Sequence, residues 1–222
     1  KTMRVAQQLY EGLSINGENV GLITYMRTDS TRISNESMAD AGKYIEKNFG
    51  KEYVGKYMPA KAKGNVQDAH EGIRPTDINL SPDSIKDSLS AEQYKLYKLI
   101  WERFLVSQFS AMKYDQMQIN AKNGDYVFRG TINKVTFDGY YKVFKDEDEI
   151  KTADFPEIKE GDELVVKELN IKDGMTKPPA RFSESSLVKK LEAEGIGRPS
   201  TYASIIETLK TRNYAELVDK RF

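Results

Sequence analysis

The stretch LSAEQYKLYKLIWERFLVSQF, residues 89–109, is the most strongly patterned of the chain. Ser90 and Gln93 have the spacing of a capping box, in which each side chain accepts a hydrogen bond from the other residue's backbone N–H. Tyr97, Ile100, Trp101, Phe104 and Leu105 follow at helical spacing and make a wide apolar stripe. Just beyond, near residue 112, the period changes. Alternation dominates from Tyr114 to Leu169, in MQINA, YVFRGTI, YYKVF and ELVVKEL. Gly and Asp clusters separate these runs, as in an antiparallel sheet. A helical block followed by a block of strands defines an α+β fold.

Upstream, residues 2–12 are predicted helical. Met3, Ala6, Leu9 and Tyr10 share a face there, and Gly12 is the stop. Residues 14–19 are a turn-rich loop. VGLITYM, residues 20–26, is predicted to be a buried strand in which Ile23, Tyr25 and Arg27 lie on one face. Ser34 caps a predicted helix running to Asn48, with Met38, Ala41, Ile45 and Phe49 inward and Gly50 as terminator. Residues 51–82 are weakly patterned and contain the only histidine, His70. After TKPPARF, helices are predicted over 183–194 and 202–212, joined by a turn that GIGRPS opens, with Ser200 a candidate cap. Three pieces result: a mostly helical, tyrosine-bearing domain (1–112), an antiparallel β segment (113–178) and a helix-turn-helix-like pair (179–222).

Composition narrows the function. The 222 residues contain no cysteine, which removes disulfide frameworks, thiolate zinc sites and cysteine nucleophiles, and which fits a reducing cytosol. No apolar run approaches the ~20 residues of a membrane span. Basic and acidic residues balance at 34 each, so any nucleic-acid site is a local patch. The chain opens in mid-helix without a leader and closes abruptly, as a piece of a longer protein would.

The chemistry centres on GLITYMRTDSTRIS, residues 21–34. A tyrosine that attacks a phosphodiester conserves the bond energy in a phosphotyrosine ester, so the strand can be rejoined without ATP. A phenol titrates near ~10, so the proton needs help to leave. The charge developing on the phosphoryl oxygens needs a cation or metal. Arg27 supplies a planar donor fork, and the hydroxyl-rich TDST after it adds phosphate donors. By spacing alone, a strand tyrosine near an arginine is usually a packing residue.

The whole string ITYMRTDSTRIS closely resembles the active-site segment of bacterial type IA DNA topoisomerases. KTMRVAQQLYEG is similar to the helix leading into it, and QDAHEGIRPTDI to a second active-site segment. TKPPARFSESSLVKKLEAEGIGRPSTYASIIETLKTRNY resembles a DNA-binding stretch. All stand in family order, and the β segment is where the likeness is least specific. The resemblance implies that Tyr25 is the nucleophile, forming a 5′-phosphotyrosine link, and that Arg27 binds the scissile phosphate region. It implies that His70 assists binding or cleavage, although this chain has Gly72 where the family pattern has alanine. Asp29 and Arg74 become supporting DNA contacts. Arg198, Thr201 and Arg212 become contacts to the single strand, the first two at a helix start where free N–H groups favour a phosphate.

The resemblance also makes the β segment an arch whose ends, near 110–114 and 174–180, are candidate hinges. It implies relaxation of negative supercoils by a monomer in the bacterial cytoplasm, at the nucleoid. Mg²⁺ would be held by acidic residues of an N-terminal TOPRIM domain, and further DNA-binding repeats would follow at the C-terminus. Neither region is seen in these residues, so the chain is expected not to relax DNA alone and to hold no metal itself. An alternative is a single-stranded DNA-binding fragment with no activity of its own. A tyrosine recombinase fits poorly, because those enzymes need several catalytic arginines and a late tyrosine.

Overall fold

The computed structural model describes residues 2–26, 30–56, 71–144, 153–198 and 200–222. It divides into two compact units, Lys1–Leu164 and Val165–Phe222.

The first unit opens with α1 (Thr2–Glu11), which buries Val5, Ala6 and Leu9. The predicted face is rotated: Met3 and Tyr10 are exposed. Gly12, at φ +114°, ends the helix. Residues 14–19, expected as a loop, form most of a hairpin instead, β1 (Leu13–Ile15) with β2 (Glu18–Val20). Asn16 and Gly17 both take positive φ at its tip, the requirement of a type I′ turn.

Helix α2 (Asn35–Asn48) starts where Ser34 accepts a hydrogen bond from the Ser37 N–H at 3.2 Å, and buries Ala41 and Ile45. Helix α3 (Ala91–Gln108) carries both bonds of the Ser90–Gln93 capping box. Its stripe is the wall of the core: Tyr97, Trp101, Phe104 and Leu105 are buried, and Tyr44 of α2 meets Trp101 edge-on at 5.7 Å. Two buried polar tips hold the chain before α3 against it. The Tyr97 hydroxyl donates to the Leu80 carbonyl at 2.7 Å and the Trp101 Nε1–H to the Ile78 carbonyl at 3.0 Å. Burial pushes the Tyr97 phenol well above its ordinary value, which keeps it a donor.

Beyond α3, β3 (Lys113–Asn123) and β4 (Tyr126–Phe137) form a long antiparallel ribbon, turned at Gly124 with φ +60°. The expected sheet is smaller than its alternation suggested. YYKVF lies in a 3-10 turn (Gly139–Val143), because Gly139 takes φ +52° and packs on the Ala111 backbone too closely for a Cβ. ELVVKEL, residues 163–169, is exposed and in no strand.

The ribbon's root is tied to the helices rather than free. Ser110 N–H donates to the Tyr53 carbonyl at 2.8 Å, and Tyr140 N–H to the Ser110 carbonyl at 3.1 Å. The Tyr53 ring lies 4.9 Å from Phe137, and its hydroxyl donates to Asp138 Oδ1 at 2.8 Å. For residues 110–114 to act as a hinge, these bonds would have to open. Tyr53→Phe removes only the bond to the carboxylate. It is expected to cost about 1 kcal/mol in urea unfolding, since a bond to a charged acceptor is lost from a half-buried site. No change would mean that water replaces the hydroxyl fully.

The second unit holds α4 (Glu184–Ala193) and α5 (Tyr202–Thr211). Ser183 caps α4 with a capping box through Ser186. Lys210 of α5 reaches Glu184 at 3.2 Å and Glu207 at 3.1 Å, linking the two helices. The candidate cap Ser200 is displaced by Thr201, which occupies the N-cap position without a side-chain cap bond.

Candidate functional site

Tyr25 sits on a backbone clamp made by two segments far apart in sequence. Thr24 N–H donates to the Arg74 carbonyl at 2.9 Å, and Thr76 N–H to the Leu22 carbonyl at 3.1 Å. Between them Ile23 and Pro75 face each other as an antiparallel bridge, both buried. This is the position of an antiparallel pair where the facing residues exchange no N–H bonds, so proline is accommodated without loss. The Thr24 hydroxyl adds two bonds, donating to the Gly72 carbonyl at 2.9 Å and accepting from the Arg74 N–H at 3.1 Å. Thr76 Oγ1 donates to the Gly21 carbonyl at 2.7 Å.

The clamp is one bridge, not the predicted strand over 20–26. Alternation breaks after Ile23: Met26 turns into the core, and Tyr25 turns outward at 48% exposure. Ile23 and Tyr25 therefore do not share the environment that a regular strand would give them. The Tyr25 ring rests edge-on against Tyr10 at the end of α1, with centroids 5.3 Å apart and planes at 62°.

Arg74 lies beside this clamp, half-buried and folded back. Its Nε and one terminal nitrogen donate to Glu71 Oε2 at 2.9 and 2.7 Å, and the other terminal nitrogen donates to the Pro75 carbonyl at 2.9 Å. The guanidinium thus braces its own segment. A cleft of about 40 Å³, lined in part by Ser37, Asp40, Arg74 and Asp77, is water-sized, and Tyr25 is not among its walls. Arg27, Asp29 and His70 lie outside the described residues. Among the described residues, no three His, Asp or Glu side chains gather as a metal ion would need.

Gly72 is buried beneath the loop before α2, and its N–H donates to the Arg32 carbonyl at 2.7 Å. A Cβ here would meet only the Ile33 Cδ1 closely, at 3.2 Å. Ile33 is half-exposed and its tip can give way. Gly72→Ala is therefore expected to be tolerated, with stability changed by less than ~1 kcal/mol and in the favourable direction, because the unfolded chain loses freedom. A large fall in melting temperature would show that Ile33 is held.

In the second unit, Gly195 and Gly197 take φ +70° and +77° and turn the chain into α5. Arg198 N–H donates to Thr201 Oγ1 at 2.8 Å, and that hydroxyl donates to the Arg198 carbonyl at 3.0 Å, closing the turn. The Arg198 guanidinium donates to the Gly197 carbonyl at 2.6 Å, and the residue is exposed. Arg212 stands at the opposite, C-terminal end of α5. By helix rise that is about 15 Å from the helix start. Arg198 and Thr201 are thus brought together at one end and Arg212 is not.

Three residues that matter here were not placed at the site from the sequence: Tyr10 beside Tyr25, which was read only as part of the apolar face of α1, Thr24 tying both segments, and Glu71 holding Arg74. Only Glu71 left a local signal, its three-residue spacing from Arg74.

The chain belongs to the DNA topoisomerase family, whose model matches residues 1–222. It is 46% identical over 231 residues to DNA topoisomerase 1 of Rickettsia prowazekii, covering all of this chain and 30% of that protein. It is 47% identical over 227 residues to DNA topoisomerase 1 of Fervidobacterium islandicum, covering 32% of that protein. Among solved structures, it is similar to full-length topoisomerase I from Thermotoga maritima, at 40% identity and TM-score 0.78, across this whole chain and 36% of the other. The chain therefore spans about a third of the length of these relatives. No helix among the described residues is long and apolar enough to cross a membrane.

Proposed function

We propose that these residues carry the nucleophile of a type IA topoisomerase, which cuts and rejoins one DNA strand and so relaxes negative supercoils. The observation that carries this reading is Tyr25 itself, turned outward from a clamp that joins its segment to residues 72–76. The Tyr25 oxygen attacks a backbone phosphorus of single-stranded DNA. A tyrosyl O–P bond forms, the bond from phosphorus to O3′ breaks, the phenolic proton passes to a base, and O3′ leaves as a hydroxyl after taking a proton. Rejoining is the reverse, with O3′ attacking and the tyrosine leaving.

In this reading Arg27 offsets charge on the phosphoryl oxygens and His70 assists binding or cleavage. Asp29 and Arg74 support the strand-binding surface. Arg198, Thr201 and Arg212 hold the single strand elsewhere along its path. Following the family resemblance, we assign Mg²⁺ and the base to a TOPRIM domain in the part of the relatives' length that this chain does not span. The whole protein acts as a monomer in the bacterial cytoplasm.

The test uses the whole protein with a labelled single-stranded oligonucleotide and Mg²⁺. Denaturing electrophoresis should show a covalent adduct, and mass spectrometry of its peptides should place the phosphate on Tyr25. An adduct on another residue, or binding with no adduct at all, overturns the assignment and leaves only strand binding.

A further inference from the structure

We infer that Tyr10 is a positioning residue for Tyr25, an inference that rests on Tyr25 being the nucleophile. Two backbone devices bring Tyr10 to it. The Leu22 N–H donates to the Leu9 carbonyl at 2.7 Å, docking the end of α1 onto the segment that leads to Tyr25. Gly21 allows this approach: a Cβ there would lie 2.8 Å from the Tyr10 carbonyl oxygen, closer than real contacts come, and backbone cannot step aside cheaply. The Tyr10 ring is then delivered to the Tyr25 ring at 5.3 Å and 62°, the edge-to-face geometry that aromatic pairs favour.

Burial does not account for the contact. Tyr10 is 40% exposed and Tyr25 48%, so neither ring is a core element. The physical effect is on the rotamers of Tyr25. An outward tyrosine on an irregular segment would sample several staggered positions, and a ring against one side of it removes some of them. Catalysis benefits from this because a misplacement of about 1 Å at a reacting atom can cost ~10²-fold in rate. The contact is made by the ring and not by the Tyr10 hydroxyl, so phenylalanine should serve as well.

The experiment measures single-turnover adduct formation and equilibrium oligonucleotide binding in the whole protein, for Tyr10→Phe, Tyr10→Leu, Tyr10→Gln and, as control, Tyr25→Phe. Tyr10→Phe should keep the wild-type rate within about twofold. Tyr10→Leu and Tyr10→Gln should slow cleavage about tenfold, with binding unchanged, since orientation contributes to the step and not to strand affinity. Two non-aromatic variants guard against one failing to fold, which a thermal melt detects. Wild-type rates in both non-aromatic variants overturn the inference, as does a loss that Tyr10→Phe shares. If Tyr25→Phe still forms adduct, the nucleophile reading has failed. If Tyr25→Phe is dead and Tyr10→Leu is normal, only the positioning role has failed.

Discussion

Tyr25→Phe in the whole protein is expected to abolish the covalent adduct with single-stranded DNA, lowering its rate by at least ~10³-fold, while leaving strand binding and fold in place. The size of the loss follows from the chemistry. The hydroxyl is the only atom removed, and phenylalanine has no lone pair to offer phosphorus. The fold survives because the ring keeps its edge-on contact with Tyr10 and because the residue is about half exposed. Surface changes of this kind stay within ~0.5 kcal/mol. Adduct yield on denaturing gels, beside filter binding of the same oligonucleotide, separates chemistry from affinity. Persistent adduct in the variant would move the nucleophile elsewhere. A parallel collapse of binding and melting temperature would make Tyr25 a packing residue.

What was legible in the sequence was local. The Ser90–Gln93 box and the stripe from Tyr97 to Leu105 name α3 and its buried face, because both depend on spacings of three and four residues. Ser34 likewise marks the start of α2. The reading failed where non-local packing decides. VGLITYM has strand composition, yet only its first residue, Val20, lies in a ladder, opposite Leu13, and beyond it only Ile23 makes a bridge, to Pro75. YYKVF alternates, but positive φ at Gly139 turns it into a 3-10 segment. The candidate site divides in the same way. Motif strings marked Tyr25 and Arg74, since they are contiguous. That Thr24 would bond to both Gly72 and Arg74, 48 and 50 residues away, is fixed by the tertiary fold and left no trace in spacing. Tyr10 shows the same limit, since the face of α1 that holds it was expected to point inward.

Ile23→Ala is expected to be the most damaging single change near the site, costing ~3 kcal/mol. Ile23 is 1% exposed and is the one residue of its segment bridged to the 72–76 segment. Its side chain fills core space, and its removal leaves a cavity that the surrounding helices can close only in part. The loss is also local to the clamp. The two bonds that flank the bridge, from Thr24 N–H to the Arg74 carbonyl and from Thr76 N–H to the Leu22 carbonyl, are protected while the bridge is closed. If local opening carries the whole cost, amide exchange at Thr24 and Thr76 should accelerate by ~10²-fold, the equivalent of that free energy. Ile23→Val keeps most of the volume and should cost about 1 kcal/mol, with a proportionally smaller change in exchange. Exchange unchanged in Ile23→Ala would show that the clamp is held by its backbone and the Thr24 and Thr76 hydroxyls. Exchange faster at both amides, together with slower adduct formation, would tie the two segments' pairing to the chemistry. The reason is mechanical: Tyr25 lies two residues beyond Ile23, so a bridge that opens releases the nucleophile's own backbone.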